Sequence, residues 1–285
     1  MRPLRVRRLL QSLEYGNNLH MPHNLKPLFI SHGGGPMPLL GDDGHREMVG
    51  CLKDIASNIP PPDAVVVVSA HWEEQIATIT AGKSPQLIYD YYGFPEKSYE
   101  IQYPCAGEPS LAIEIFEVLQ CFGIEAKLDE GRGYDHGTFV PLKIMYPEAN
   151  IPCVQLSLLA SLDPLSHIEI GIALRALSQK YVLLVGSGFS FHNLRAFFTA
   201  ETTESKKMNF AFERWLQDTC SSLEYSEEER TQKLIHWLDA PASRFCHPRE
   251  EHLLPLHVCY GAAQAPCSET FSLKIMNKES SMYVW

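Results

Sequence analysis

Histidines are the side chains of this sequence whose positions point most directly to chemistry. His32 directly follows an apolar run, His71 directly follows a second one, and His192 comes shortly after a third. In an open α/β sheet the ligand crevice lies beyond the carboxyl ends of the strands, so these three imidazoles are expected to converge there. Imidazole is the commonest nitrogen ligand for zinc and ferrous iron. The spacing therefore favours a metal site, although each histidine taken alone is more simply a surface or hydrogen-bonded core residue.

Two further histidines lie in segments that carry other signals. His252 follows two acidic residues and opens the last predicted helix, and His136 lies in the turn-rich stretch 133–137. A phosphate cradle at residues 33–35 is a weaker interpretation, because the lysine and hydroxyl residue of a P-loop do not follow these glycines. A G-x-S-x-G nucleophile elbow is absent from the sequence. The histidines therefore remain the best candidates for chemistry.

An aromatic cluster lies between the second apolar run and the turn-rich stretch. It contains Tyr89, Tyr91, Tyr92 and Phe94. Such a cluster either packs in a core or lines a ligand pocket, and the sequence leaves both alternatives open. If it lines a pocket, Tyr92 and Phe94 are the candidate substrate-binding residues.

Strand and helix patterns alternate along the chain and must position these side chains. Continuous apolar runs predict buried strands, and apolar residues at helical spacing predict helices. The predicted strands cover residues 27–31, 64–70, 151–158 and 181–185, and the predicted helices cover residues 44–58, 111–122, 167–181 and 206–223. The alternation predicts a single three-layer α/β domain with a mostly parallel or mixed central sheet flanked by helices. We expect this domain to span residues 26–285, after a loosely ordered N-terminal extension at residues 1–25.

The composition limits the classes of partner. The 285 residues include 24 Lys and Arg against 34 Asp and Glu, which gives a formal net charge of −10. An acidic chain is poorly suited to bind nucleic acid or an anionic membrane surface, because both require a basic face. The longest apolar run, Ala64–Val68, is far shorter than the roughly 20 residues that span a bilayer. The expected partners are therefore small molecules, and the sequence makes no prediction of the oligomeric state.

Cysteine usage and the N-terminal residues bear on the compartment. The eight cysteines form no C-x-x-C pair, and a disulfide framework is typical of much shorter secreted chains, so we expect reduced thiols in a cytoplasmic protein. Residues 1–10 hold four arginines and no acid, which loosely resembles a mitochondrial transit peptide. Because Glu14 follows soon and serines are few, the cytoplasm is the expected location and mitochondrial import is the alternative.

The stretches that carry the histidines and the aromatic cluster together resemble a known family. They are FISHGGGPMPLL (29–40), VVVVSAHWE (65–73), YDYYGFPEKSYEIQYPCAG (89–107), GYDHGTFVPLKIMYPEANIPCVQLSL (133–158), GSGFSFHNLRAF (186–197) and REEHLLPLHVCYGAA (249–263). In this order they resemble the DODA-type class III (LigB-like) extradiol ring-cleavage dioxygenases, the group that includes the 4,5-DOPA extradiol dioxygenases. The resemblance covers about residues 27 to 263.

The resemblance implies a set of metal ligands. His32 and His71 match metal-binding histidines of the family, and His252, in the motif E-H-x-x-P-L, matches a further ligand. Glu251 is an alternative ligand, because more distant class III enzymes complete a site of two histidines and one carboxylate with a glutamate. Two neighbouring residues at the start of a helix point about 100° apart, so we expect only one of this pair to face the metal and favour His252.

Two further roles follow from the same resemblance. His192 matches a position that contacts the metal in DODA-type relatives and transfers protons in distant ones. His136 matches an active-site histidine near the substrate oxygens. We therefore expect His136 and His192 to be catalytic, with His192 also contributing to the metal site, because imidazole is suited to proton transfer near neutral pH.

The resemblance also implies the reaction. It predicts a metal-dependent dioxygenase, with one Fe²⁺ or Zn²⁺ per chain, that uses O₂ to cleave a catechol-type ring beside its two hydroxyls and gives a semialdehyde. Histidine ligands with a bound water would also suit a zinc-dependent hydrolase, which is one alternative. The other is a non-enzymatic binding protein on the same scaffold. Because such relatives have lost ligands, the presence of all five histidines counts against it.

Overall fold

A computed structural model describes residues 25–177 and 181–285, and its centre is a mixed eight-stranded sheet. The strands are β1 (Leu25–Ser31), β2 (Ala64–Glu74), β3 (Ala77–Thr80), β4 (Ala126–Asp129), β5 (Cys153–Leu159), β6 (Val182–Gly188), β7 (Glu269–Ile275) and β8 (Lys278–Val284). Their order across the sheet is β4-β3-β5-β2-β6-β1-β8-β7. The central strands β5, β2, β6 and β1 pair in parallel, whereas β8 pairs antiparallel with β1 and β7. The predicted α/β class is thereby confirmed.

The central strands form because their sequences are apolar on both faces. Residues 64–70 of β2 are all buried, and so are all residues of β6. Such runs are typical of parallel strands that are covered by helices on both sides. The carboxyl ends of β1, β2 and β6 therefore lie side by side at one edge of the sheet, where the histidines were expected.

Helices connect and cover these strands. They are α1 (Arg46–Asn58), α2 (Pro109–Cys121), α3 (His136–Met145), α4 (Pro164–Leu174), α5 (Leu194–Phe197), α6 (Thr203–Ser221), α7 (Glu227–Ile235), α8 (Ser243–Cys246) and α9 (Leu254–Ala263). Helix α9 is buried all round because it packs between β1, β2 and β6 on one side and α4 on the other. Among the described residues, no helix combines the length and the apolar character needed to cross a membrane.

Several element boundaries differ from those predicted. Strand β2 continues past Ala70 to Glu74, and its register with β5 shifts between Val68 and Glu73. The helix predicted over 167–181 lies instead over Pro164–Leu174, because Asp163 caps it by accepting a hydrogen bond from the Ser166 amide at 3.0 Å. Residues 178–180 lie outside the described part of the chain. The extension predicted at residues 1–25 also lies outside it, except for residue 25, which begins β1.

Candidate active site

Three histidines converge at the carboxyl edge of the sheet. His32 directly follows β1, His71 lies in β2 within the register shift, and His252 lies two residues before α9. Their ligand-capable ring nitrogens all lie within 4.8 Å of one another. The Nε2 atoms of His32 and His71 are 3.0 Å apart, and the His252 ring centroid is 5.3 Å from that of His32 and 4.9 Å from that of His71. The predicted convergence of His32 and His71 is therefore present, with His252 as its third member.

Two of these positions depend on close approach of the backbone. Phe189, directly after β6, donates its amide to the carbonyl of His252 at 2.9 Å. A Cβ atom at Gly188 would lie 2.1 Å from that same carbonyl oxygen. Only glycine therefore lets the turn that carries His252 approach the end of β6, and this contact brings His252 to the other two histidines.

A serine fixes the tautomer of His32. The Nδ1 atom of His32 lies 3.0 Å from the hydroxyl oxygen of Ser187 in β6. That hydroxyl donates its single proton to the carbonyl of Gly137, so it accepts a hydrogen bond from His32 Nδ1–H. The lone pair of His32 is consequently on Nε2, the atom that faces His71.

A carboxylate fixes the tautomer of His252 in the same way. Oε1 of Glu251 lies 2.9 Å from Nδ1 of His252, and Oε2 of Glu251 lies 3.3 Å from the guanidinium of Arg249. Arg249 also forms a bidentate ion pair with Glu73, at 2.5 and 2.6 Å. Since a carboxylate only accepts hydrogen bonds, His252 is protonated on Nδ1 and its lone pair is on Nε2. Glu251 thus lies behind His252, on the side of its ring away from Nε2.

The fourth histidine, His192, stacks on His252. The two ring centroids are 3.3 Å apart with the planes at 14°, and Nδ1 of His192 lies 3.4 Å from Oε1 of Glu251. The backbone amide of His192 donates to the carbonyl of Cys246 at 2.9 Å. Glu251 is therefore shared by two imidazoles. Burial acts to raise its pKa, but the hydrogen bond from His192 and the charge of Arg249 outweigh burial and hold the pKa below its ordinary value.

His136 is the first residue of α3, whereas the sequence suggested a turn. One carboxylate oxygen of Asp90 accepts both its backbone amide, at 2.9 Å, and its Nδ1–H, at 2.8 Å. Its ring centroid is 3.9 Å from that of His71. Asp90 therefore leaves Nε2 as the atom of His136 that is free to accept a proton.

A second buried carboxylate supports His71. The backbone amide of His71 donates to the hydroxyl of Ser69 at 3.2 Å, and that hydroxyl donates to Asp135 at 2.7 Å. Gln155 also donates to Asp135. Burial, followed by the nearby charge of Asp90, raises the pKa of Asp135. This network holds the irregular segment of β2 in place. The sequence interpretation missed Asp135 as well as Asp90, although both lie within the family-like stretches.

The electrostatics of the cluster suit a divalent cation. Burial lowers the pKa of His32, His71 and His252 well below the ordinary value, and repulsion from neighbouring imidazoles lowers it further. All three rings are therefore neutral near pH 7. Three neutral imidazoles whose ligand-capable nitrogens lie within 4.8 Å of one another form a donor set that Zn²⁺ and Fe²⁺ bind. The residues therefore fit a bound divalent metal ion.

A cavity of about 400 Å³ opens above the cluster, which is within the usual range for small-molecule sites. Its lining combines the five histidines with glycine and apolar side chains: His32, Gly33, Gly34, Gly35, Met37, His71, Tyr91, Phe94, His136, Phe189, His192, Leu194, Phe197, Phe198, His252 and Met276. Phe94 is in this lining. Tyr92 is not in it and is 92% exposed; Tyr91 is the tyrosine of the aromatic cluster that faces the cavity.

Comparison with known proteins agrees with this geometry. Residues 28–281 match the family model described as the catalytic LigB subunit of aromatic ring-opening dioxygenase. The dioxygenase tasH of Hapsidospora irregularis is 41% identical over 251 residues, covering 82% of this chain and 76% of that protein. The 4,5-DOPA dioxygenase extradiol of Portulaca grandiflora is 36% identical over 242 residues, covering 82% and 84%.

A bacterial relative and a solved structure extend the comparison. The 4,5-DOPA dioxygenase extradiol of Escherichia coli K12 is 35% identical over 236 residues, covering 82% of this chain and 84% of that protein. The crystal structure of an uncharacterized protein from Escherichia coli K12 superimposes with a TM-score of 0.72 at 28% identity, covering 91% of this chain and 98% of that one. Sequence and fold therefore point to the same family.

Proposed function

This chain belongs to the LigB family of aromatic ring-opening dioxygenases, and we propose that it cleaves a catechol ring in extradiol fashion, with O₂ and one metal ion per chain. The product is a semialdehyde. The observation that carries this proposal is the convergence of His32, His71 and His252, whose ligand-capable nitrogens lie within 4.8 Å of one another in the lining of the cavity. The relatives named as extradiol dioxygenases support the same chemistry.

We assign the metal to His32, His71 and His252, with His192 as a fourth contact. Glu251 then orients His252 and His192 through their Nδ1 atoms rather than binding the metal itself. Its position behind His252 and its ion pair with Arg249 support this assignment.

We infer that Fe²⁺ is the functional ion and Zn²⁺ the alternative that the same ligands would accept. Ring cleavage by O₂ requires a redox-active centre, and Zn²⁺ has no accessible redox chemistry. When bound, Fe²⁺ supplies a Lewis acid for the two phenolic oxygens and a redox-active centre for O₂.

The protein's own groups would handle the protons. Asp90 holds Nδ1–H of His136, so Nε2 of His136 is placed to accept a proton from a catechol hydroxyl. His192, whose ring also lines the cavity and whose Nδ1 faces Glu251, would donate a proton from Nε2 to the intermediate in the step in which that atom does not contact the metal.

We also propose a cytoplasmic location. All eight cysteines are free thiols. Burial raises the pKa of Cys105 to about 11 and that of Cys259 to about 12, so both thiols stay protonated and unreactive near neutral pH. Free, inert thiols are typical of a protein in a reducing compartment.

Anaerobic reconstitution with Fe²⁺ tests the proposed function. The reconstituted protein is given a set of catechols and O₂, and O₂ uptake and the yellow ring-opened product are followed. We expect one O₂ consumed per catechol, and no O₂ uptake above background from protein loaded with Zn²⁺. Catechol binding without O₂ uptake in protein with one iron per chain would favour a binding protein instead. Ester hydrolysis by Zn²⁺-loaded protein without O₂ uptake would favour a hydrolase.

A further inference from the structure

We propose that the substrate is a catechol with an uncharged, apolar ring substituent, and that the segment after β6 forms the subsite for that substituent. This inference rests on the proposed extradiol activity. It concerns the substrate class, for which the relatives' names suggest an amino acid, DOPA. The cavity of this chain points elsewhere.

The first observation is the absence of charged side chains from the cavity. Among the described residues that line it there is no lysine, arginine, aspartate or glutamate. Apart from the histidines, the walls are glycine, methionine, leucine, phenylalanine and one tyrosine. An amino-acid substrate would bring an ammonium and a carboxylate into the cavity, where neither group would find an oppositely charged side chain in the lining. Burying an unpaired charge is costly. A neutral substituent meets no such cost.

The charged groups that contact the histidines of the site are already paired. The carboxylate of Asp90 accepts two hydrogen bonds from His136, and the carboxylate of Glu251 contacts two imidazoles and Arg249. Arg249 is itself held by both oxygens of Glu73. A substrate carboxylate would therefore find no free cation among these groups, and the carboxylates behind the histidines would repel it.

The second observation is an apolar rim on one side of the cavity. Leu194 and Phe198 both line the cavity and are 61% and 81% exposed. Phe197 lies between them in sequence, and its ring centroid is 5.6 Å from that of Phe189, which also lines the cavity. Exposed apolar side chains around a pocket are typical of a binding surface, because an apolar ligand group removes them from water.

This rim is held in place by the fold. The side chain of Asn193 caps α5 by accepting the amide of Ala196 at 3.1 Å, and it donates to the carbonyl of Phe245 at 2.7 Å. Met37 and Met276 contribute further apolar atoms to the lining, and their flexible side chains adapt to substituents of different shape. The subsite is therefore shaped in advance for an alkyl or aryl group.

Three catechols that share the reacting ring test this inference. The iron-reconstituted full chain is assayed with 4-propylcatechol, L-DOPA and dopamine, by kcat/KM from O₂ uptake and by Kd from anaerobic absorbance titration. We expect 4-propylcatechol to be preferred over both charged compounds by about 100-fold in each measurement. Equal or tighter binding of L-DOPA or dopamine would overturn the inference.

A pair of arginine substitutions locates the subsite. Phe198→Arg places a cation at the rim, where it can pair with the carboxylate of L-DOPA. The ratio of kcat/KM for 4-propylcatechol to kcat/KM for L-DOPA should therefore fall by about 10-fold. The kcat/KM for dopamine, which has no carboxylate, should not rise. Phe210→Arg is the matched control, because Phe210 is also exposed, at 54%, but lies on α6 and does not line this cavity. An unchanged preference in Phe198→Arg, or an equal change in Phe210→Arg, would refute the subsite.

The two measurements separate this inference from the proposed function. If no catechol is turned over by protein that holds one iron per chain, the proposed function fails. The anaerobic Kd values then still decide whether the cavity selects neutral or charged catechols. If L-DOPA is turned over faster than 4-propylcatechol, the proposed function stands and the inference about the substituent fails.

Discussion

The substitution Glu251→Gln separates a metal ligand from a residue that orients ligands. The carboxylate contacts Nδ1 of His252 at 2.9 Å and Nδ1 of His192 at 3.4 Å, on the side of the His252 ring away from the metal cluster. A glutamine oxygen can still accept the Nδ1–H of His252, but it lacks the negative charge that makes the imidazole more basic. Loss of such an outer partner typically weakens metal binding by about 10- to 100-fold, which is about 1.4 to 2.7 kcal/mol.

Competition for Zn²⁺ against a colorimetric chelator measures this change, since Zn²⁺ is a redox-inert probe of the site. Glu250→Gln is the control, because Glu250 is the neighbouring glutamate and pairs with Arg244 at 2.5 Å near the surface. We expect the control to bind Zn²⁺ as the wild type does. Complete loss of Zn²⁺ from Glu251→Gln, as from His252→Ala, would make Glu251 a direct ligand. An unchanged affinity would show that the carboxylate does not orient His252.

Three further predictions follow from the same geometry. His136→Gln should keep one metal ion per chain but lower the single-turnover rate by about 10²–10⁴, because glutamine cannot transfer the proton; turnover at the wild-type rate would reduce His136 to a structural residue. His192→Ala should both weaken metal binding and slow turnover. Iron content and single-turnover rates of the variant measure the two effects, and a wild-type value for either one would contradict the prediction. Burial raises the pKa of Glu213 from 4.5 to about 7, so its ionised form is disfavoured in the fold and stability falls as pH rises from about 4.5 through 7. The free energy of unfolding of Glu213→Gln minus that of the wild type should therefore be about 3 kcal/mol larger at pH 8 than at pH 4. Urea unfolding of both proteins at both pH values measures this difference, and an equal value at the two pH values would refute the prediction.

The strands, and the edge of the sheet at which the site lies, could be predicted from the sequence, because both follow from local apolar runs and from where those runs end. The apolar runs ending near His32, His71 and His192 are buried strands of one sheet, so their convergence follows from the parallel topology. The position of His71 inside β2 does not follow, because the register shift depends on pairing with β5, more than 80 residues away in sequence. The turn-rich sequence around His136 also did not reveal that a helix begins there. The carboxylate of the distant Asp90 accepts a hydrogen bond from the first amide of α3.

The partners that orient His32 and His136 cannot be found from sequence pattern because they are distant in the chain. Ser187 meets His32 across 155 residues, and Asp90 meets His136 across 46. In the aromatic cluster, the sequence likewise did not reveal which tyrosine faces the cavity. Neighbouring residues in an irregular segment point in different directions, and only packing decides that Tyr91 faces the cavity while Tyr92 faces solvent.

The iron content of His32→Ala tests the central claim most directly. His32 directly follows β1, and its Nε2 atom is 3.0 Å from that of His71. We expect its loss to leave the helices and strands intact, because its side chain lies beyond the end of the strand. After anaerobic reconstitution we expect one iron per chain in the wild type and almost none in His32→Ala, with the same circular dichroism spectrum for both proteins. A folded His32→Ala protein that still holds one iron per chain would contradict the assignment of the metal to this cluster.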